Sequence, residues 1–446
     1  MYNYKEEAET LRATVIELNA IITELRNEIQ YLKQGKTSRN SSIPPSSDFY
    51  RGKVQNPNRI KTGKKPGGQK GHEGKFLKFQ STVDTIVQHR QDVCDQCGYE
   101  LASAEAKEGI RGQIIDIPIV KHTVTEHLSM EIVCPCCAKK NKGKLPGTLD
   151  YCNVQYGNRL KDLVVYLSVR NYMPVKRISE YIRIAYGLSL SDGFIIDCLT
   201  KKAESVQEVY KEILIQIKQS EVVGSDETGF KIGDKKGWMW MWRTQDYVYF
   251  HPSLKRDYQT IERVMGTEKP QDFILISDRY AAQLKTECKS HQICLAHLLR
   301  DCINVYERCK SKWALKLKSI FKEIIELGKH NTICIKQRDE IVKRLDEVLH
   351  QALTTSHSSV KKLQKQLLKV KDYITTCLYN PNVPAENNYS ERAIRNVKIK
   401  QKISTNLRSM KGAESYAIIR SIIDTAILQG KNIWEILINP KLIIHN

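Results

Sequence analysis

Two sets of residues in this chain of 446 have types and spacing suited to chemistry. The first is a set of carboxylates. Asp226 stands inside Val222-Val223-Gly224-Ser225-Asp226-Glu227-Thr228-Gly229, and Asp278 follows the apolar run Phe273-Ile274-Leu275-Ile276. A third acid is available in Pro384-Ala385-Glu386-Asn387-Asn388-Tyr389-Ser390-Glu391-Arg392-Ala393-Ile394-Arg395, at Glu386 or Glu391. Several carboxylates together can hold two divalent cations about 3.5 to 4 Å apart, one activating the attacking oxygen of a phosphoryl transfer and one stabilising the leaving oxygen. On one helix Glu386 and Glu391 would point about 500° apart, so only one of them could face the ions. The second set is cysteine. Cys94-Asp95-Gln96-Cys97-Gly98 and Cys134-Pro135-Cys136-Cys137 are two CxxC pairs with 36 residues between them. Such pairs aim thiolates at one tetrahedral ion, and Gly98 permits the tight turn, so Cys94, Cys97, Cys134 and Cys137 are expected to hold one structural Zn²⁺. Cys136 is an ambiguous extra ligand, and His89 could replace a cysteine. The alternation of Ile114, Ile115, Ile117, Ile119, Val120 and Val124 predicts strands between the pairs.

These residues need elements to position them. A strand from Val222, a second over Trp238 to Trp242 and a third over Tyr247 to Phe250 read as a meander. A helix around Tyr258 to Val264 and a buried parallel strand at Phe273 to Ile276 follow. This β-β-β-α-β order is the ribonuclease H pattern, in which the fourth strand lies beside the first and brings Asp226 and Asp278 together. Glu227 should point to the opposite side of a regular strand and serve structure. Trp238, Trp240 and Trp242 share a face and read as core, and His297 reads first as a hydrogen-bonded structural histidine and second as a contact to DNA or to the metal site. Residues 295 to 376 are helical and Lys-rich, an apparent insertion placed at about 303–376, and Ile418 to Leu437 supplies a closing helix or pair of helices. Upstream, 155 to 217 is helical, with Leu160, Leu163, Val164 and Leu167 on one face and a possible helix-turn-helix across Gly187-Leu188-Ser189-Leu190-Ser191.

At the N-terminus, Leu11, Leu18, Leu25 and Leu32 recur every seven residues, each preceded at three positions by Ala8, Val15, Ile22 or Ile29. Leu at d with mostly β-branched a positions predicts a parallel two-stranded coiled coil over about 5–34, ending near Gly35. Residues 36 to 78 are rich in Ser, Pro, Gly and base, and between Arg51 and Lys78 nine Lys or Arg stand against one acid, Glu73. A flexible arm lying along phosphates is expected there, with Lys64, Lys65 and Lys70 among its contacts. Over the whole chain 71 Lys and Arg oppose 50 Asp and Glu, for a formal charge of +21, which points to a polyanionic partner and first of all to DNA. The mean hydropathy is -0.45 and no run is apolar enough to cross a membrane, so a cytoplasmic protein with reduced cysteines is expected.

Taken together these segments resemble the transposases of insertion sequence family 66, a group with an Asp-Asp-Glu triad. The resemblance spans nearly the whole chain: the zipper, Asn40-Ser41-Ser42-Ile43-Pro44-Pro45-Ser46-Ser47-Asp48, Gly67-Gly68-Gln69-Lys70-Gly71-His72-Glu73-Gly74, the cysteine pairs, Asp226-Glu227-Thr228-Gly229, Ser277-Asp278-Arg279-Tyr280, Cys294-Leu295-Ala296-His297-Leu298-Leu299-Arg300-Asp301 and Asn388-Tyr389-Ser390-Glu391-Arg392-Ala393-Ile394-Arg395. It implies that Asp226, Asp278 and Glu391 are the triad, holding two Mg²⁺ or Mn²⁺, and so prefers Glu391 over Glu386. Asn396, where many relatives have Pro, departs from the pattern and bears on how the helix after Glu391 ends. The cationic run Arg392, Arg395, Lys398, Lys400, Lys402, Arg408 and Lys411 is expected to hold DNA backbone beside the triad. The expected architecture is multidomain α+β and α/β: a coiled coil at 1–35, a basic arm at 36–80, a zinc-binding β module at 81–150, a helical DNA-binding region at 151–220 and a ribonuclease H-like catalytic domain at 221–446. The expected activity is cleavage at transposon ends and strand transfer into target DNA, by a homodimer that could draw on accessory element-encoded proteins. The rival is a non-catalytic zinc- and zipper-containing DNA-binding regulator, or an inactivated copy.

Overall fold

The computed structural model describes residues 4–34, 71, 73, 77–118, 120–146, 154–266, 271–330, 333–353, 357–404 and 407–444. The basic arm falls almost wholly outside these, and with it Lys64, Lys65 and Lys70. The described chain divides into two compact units, one of residues 57–123 and one of the remainder.

The smaller unit has no helix or named strand among its described residues. It holds the turn at Cys94–Cys97, flanked by an isolated Val93–Glu100 bridge and braced by Arg90, which donates to Leu101 O and Ala104 O. The strands predicted from the alternating isoleucines are absent there. Ile110, Ile114 and Ile117 are almost fully exposed, and Ile115 and Val120 are more than half exposed. A period of two makes a strand only where a partner edge and a buried face exist, and the described residues supply neither. Ile119 lies outside the described residues.

In the larger unit α1 (Tyr4–Gln34) runs through all four heptads and stops one residue before Gly35. Leu11, Val15, Leu18, Ile22, Leu25 and Ile29 are exposed along it, an unburied a/d seam. β1 (Glu131–Val133) and β2 (Lys140–Lys142) form a small antiparallel hairpin across the second cysteine pair. Then α2 (Asn158–Val169), α3 (Val175–Tyr186) and α4 (Asp192–Ser205) gather around a core of their own made of Val164, Leu167, Ile178, Ile182, Leu190, Ile195 and Cys198. Gly187 ends α3 at φ +70°, and the Ser191 hydroxyl caps α4 by accepting from Phe194 N–H at 3.1 Å.

After α5 (Gln207–Lys218) comes the sheet: β3 (Val222–Ile232), β4 (Lys235–Arg243), β5 (Val248–Ser253), then α6 (Tyr258–Met265), β6 (Gln271–Ser277), α7 (Ala281–Leu284) and β7 (Cys288–Ile293). The strand order is β5-β4-β3-β6-β7, antiparallel across the meander and parallel from β3 to β7. β6 reads as continuously apolar because both of its faces are covered. Phe273 and Leu275 join the core with Trp240, Trp242 and the final helices, while Ile274 and Ile276 face the helices that follow β7. Those are α8 (Leu295–Cys309), α9 (Lys312–Leu327), α10 (Ile335–His350), α11 (Ser358–Leu368) and α12 (Thr376–Tyr379), so the helices after β7 begin at Leu295. α13 (Asn388–Ser404) returns across β3, and α14 (Met410–Leu428) with α15 (Ile433–Ile438) closes the core. No helix among the described residues is long and apolar enough to cross a membrane.

Candidate active site

Pairing register explains why two distant aspartates meet. β3 and β6 run parallel with Val222 opposite Ile274 and Gly224 opposite Ile276, so Asp226 and Asp278 each lie two residues beyond the last paired position. A step of two keeps a side chain on one face of a strand, which places both carboxylates together at the C-terminal end of the sheet. Glu391 arrives from the first turn of α13. Its approach depends on Gly224, where a Cβ would collide with Ser390 Oγ and come within 3.0 Å of Asn387 Oδ1. Asn387 pins that entry by donating from Nδ2 to Ser225 O at 2.8 Å and from its backbone N–H to Cys294 Sγ at 3.2 Å.

The electrostatics agree with convergence. Burial pushes the Asp226 carboxyl well above its ordinary value, and the negative charges of Asp278, Glu227 and Glu391 push the same way. His297 Nδ1 lies 2.8 Å from Asp278 Oδ1 and 3.7 Å from Glu391 Oε1, and Arg300 Nη2 lies 3.8 Å from Glu391 Oε2. Burial alone would lower His297, but its contacts with Asp278 and Cys294 outweigh burial and raise it to about 11. Asp278 Oδ1 and Glu391 Oε1 are buried and accept no aligned hydrogen bond. Buried carboxylate oxygens short of aligned hydrogen bonds, in a cluster of acids, fit divalent cations of the hard, oxygen-seeking class.

Glu386 is placed differently. It precedes α13, so the two glutamates never share a helix, and its carboxylate accepts from Asn388 Nδ2 at 3.0 Å. Glu227 serves structure as expected: Oε1 accepts from Arg256 Nε at 2.9 Å and Oε2 from Gln283 Nε2 at 2.6 Å. Trp240 and Trp242 are buried, whereas Trp238 lies at the edge with the Arg256 guanidinium 4.8 Å from its ring centre. Asn396 does not end α13. The helix runs eight residues past it, and its side chain accepts from Tyr172 OH at 2.8 Å.

The expected cationic run divides in two. Arg392, Arg395 and Lys402 are exposed on α13. Lys398 is half-buried and donates to Gly229 O, and Lys400 is buried, donating to Ser168 O at 2.9 Å and Met173 O at 3.3 Å. Lys398 and Lys400 lie about 200° apart around the helix, and packing on two sides takes them in: Lys398 ties α13 to β3, and Lys400 ties it to the end of α2 and the loop after it.

His297 stands against two of the three carboxylates, Asp278 and Glu391, which favours the second of its two readings over an ordinary structural histidine. Cys294 and Arg300 went unassigned. The available signal was the Cys294-x-x-His297 spacing at a helix start, which has meaning only once β7 is known to lie beside β6.

The two cysteine turns are built alike. Gly98 N–H donates to Cys94 O and Cys94 N–H to Tyr99 O, while Ala138 N–H donates to Cys134 O and Cys134 N–H to Lys139 O, all at 2.9 Å. Gly98 and Ala138 hold the same left-handed position at φ +71° and +58°. Backbone N–H groups of Cys97 and then Gln96 lower the Cys94 thiol, and those of Cys137 and then Cys136 do the same for Cys134. Amides aimed at a thiolate suit each turn to a metal.

Residues 153–415 match the family model described as Transposase IS66 family. The chain belongs to the IS66 transposase family. Residues 2–78 also match a family of unknown function. No curated protein matches the chain. The match covers all three carboxylates, and for the IS66 family a catalytic cation site is the chemistry to test against them.

Proposed function

We propose that this IS66-family chain is a DNA transposase whose Asp226, Asp278 and Glu391 carry cleavage at transposon ends and strand transfer into target DNA. The observation that carries the reading is the convergence of three carboxylates, from β3, the end of β6 and the first turn of α13, at one end of a mixed sheet. The sheet order, third, second, first, fourth and fifth strand in chain sequence, supports a ribonuclease H-like core.

Asp226, Asp278 and Glu391 would hold two Mg²⁺ or Mn²⁺. When bound, those ions supply activation of the attacking oxygen and stabilisation of the leaving oxygen at phosphorus. The chain's own contribution is position. Gly224 and Asn387 set the depth of Glu391, and the Glu227–Arg256–Gln283 contacts fix the strand that carries Asp226. Arg392, Arg395 and Lys402 present charge on the exposed side of the same helix as Glu391, where a scissile strand must lie. Both chemical steps are in-line displacements at phosphorus, first by water and then by a 3′ hydroxyl, so one site can serve both.

The remaining regions would deliver DNA. The exposed seam of α1 pairs two protomers for two ends, the four cysteines hold Zn²⁺, and α3–α4 with the 36–80 arm contact the duplex. The test is nicking and strand transfer with a DNA fragment carrying the element's own ends in Mg²⁺. Asp278→Asn is expected to bind that fragment and leave it uncut. Cutting by Asp278→Asn at the parent rate would overturn the reading and favour a non-catalytic regulator.

A further inference from the structure

Cys294 and His297 hold no cation in the phosphoryl-transfer reading, yet both lie against Asp278. A carboxylate oxygen of Asp278, the Cys294 sulfur and a His297 ring nitrogen all lie within 4.8 Å of one another. The topology puts them there. β6 and β7 pair in parallel as far as Ser277 opposite Ile293, and Cys294 N–H donates to Ser277 O at 2.9 Å, so Asp278 and Cys294 leave the sheet side by side. His297, three residues further on in the first turn of α8, returns to the same face.

Cys294 is held in place from two sides: it is the N-cap residue of the 15-residue α8, and Asn387 N–H donates to its sulfur at 3.2 Å. The other two donors face each other. Asp278 Oδ1 and His297 Nδ1 are buried and, though 2.8 Å apart, make no aligned hydrogen bond.

A thiolate, an imidazole and a carboxylate make up the donor set of zinc, and three protein ligands leave the fourth position open. Mg²⁺ prefers oxygen alone, so this set selects against it. We propose that Asp278, Cys294 and His297 form a second metal site, specific for thiophilic divalent cations of the zinc class, which competes with Mg²⁺ for Asp278. Binding rests on the three donors, and the competition rests on the triad reading.

Cadmium NMR of the full chain tests both parts, because the cadmium shift separates a one-thiolate site from thiolate-rich cysteine pairs. The expected spectrum has a one-thiolate resonance that is lost in Cys294→Ser and in His297→Gln, with affinity down at least about tenfold in either variant. It should persist in Asp226→Asn and weaken as Mg²⁺ is added in excess. A spectrum without that resonance, or one unchanged by both substitutions, overturns the site, and His297→Gln decides the matter if Cys294→Ser does not fold. A resonance indifferent to Mg²⁺ overturns the competition. Failure of the triad reading is seen separately, as parental DNA cleavage by Asp226→Asn while the cadmium resonance stands.

Discussion

The sheet end and the first cysteine turn get their order from different sources. At the sheet end, acids 52 and 113 residues apart in sequence, Asp226 to Asp278 and Asp278 to Glu391, meet because a buried parallel strand pair and a helix packed over Gly224 leave them nowhere else to go. Around Cys94 the reverse holds. The turn is local, its own hydrogen bonds span five residues or fewer, those of Arg90 and Asp92 beside it reach no further than Ala104, and the surrounding isoleucines and valines are exposed. One region has a core that imposes a charged site at a cost in repulsion, and the other has ligands with no described core. It follows that the sheet end should keep its structure when its charges are removed, whereas the cysteine turns should lose theirs when a metal is withheld.

The largest effect that would sharpen this contrast is on catalysis. Asp226→Asn should lower DNA cleavage in Mg²⁺ by about a thousandfold or more, since several kcal/mol of cation-borne stabilisation is lost, while far-UV circular dichroism stays parental. Unfolding of this variant would break the contrast. Next is chelation. Structural zinc in small domains is worth about 10 to 16 kcal/mol of apparent binding energy, so chelating zinc should open residues 77–146 to protease and leave 154–444 resistant. Equal resistance of both regions would show that the cysteine turns do not depend on metal.

A third effect concerns Lys400, on the same helix as Glu391 but buried. Burial lowers it from 10.5 to about 8. Between those values the unfolded chain holds the proton and the folded chain does not, so stability should rise with pH across that window, by at most about 3 kcal/mol. Lys400→Met should lack that rise in urea unfolding, and a parental pH profile in the variant would contradict the assignment. Replacing Leu18 and Leu25 with Lys should convert a dimer to a monomer in sedimentation, because the exposed a/d seam is the only contact this requires. The smallest effect is electrostatic. Arg392→Ala and Arg395→Ala should each reduce the log–log salt slope of DNA binding by about one, with little change in sequence preference.

Much of the sheet was legible because its strands are apolar or alternate and its breaks are marked. β7 was not, since Cys288-Lys289-Ser290-His291-Gln292-Ile293 reads as polar. Its buried groups are satisfied by tertiary partners no local pattern shows: His291 Nε2 lies 3.1 Å from Thr286 O, Gln292 Nε2 donates to Ile374 O at 3.2 Å, and Cys377 N–H donates to Gln292 Oε1 at 2.8 Å. Missing β7 hid the place of His297 and Cys294. The opposite holds from Ile114 to Val124, where a strand-like pattern stands exposed at the described positions. On α13 the positions of the cations were legible but not their directions, and packing turned Lys398 and Lys400 inward.

The most direct test of the central claim compares two glutamates five residues apart. Glu391 lies in the first turn of α13 beside His297 and Asp278, while Glu386 precedes the helix and accepts from Asn388. Measured with DNA carrying the element's ends in Mg²⁺, Glu391→Gln is expected to bind the DNA and fail to cut it, and Glu386→Gln to cut it at close to the parent rate. Cleavage by Glu391→Gln together with a dead Glu386→Gln would contradict the account.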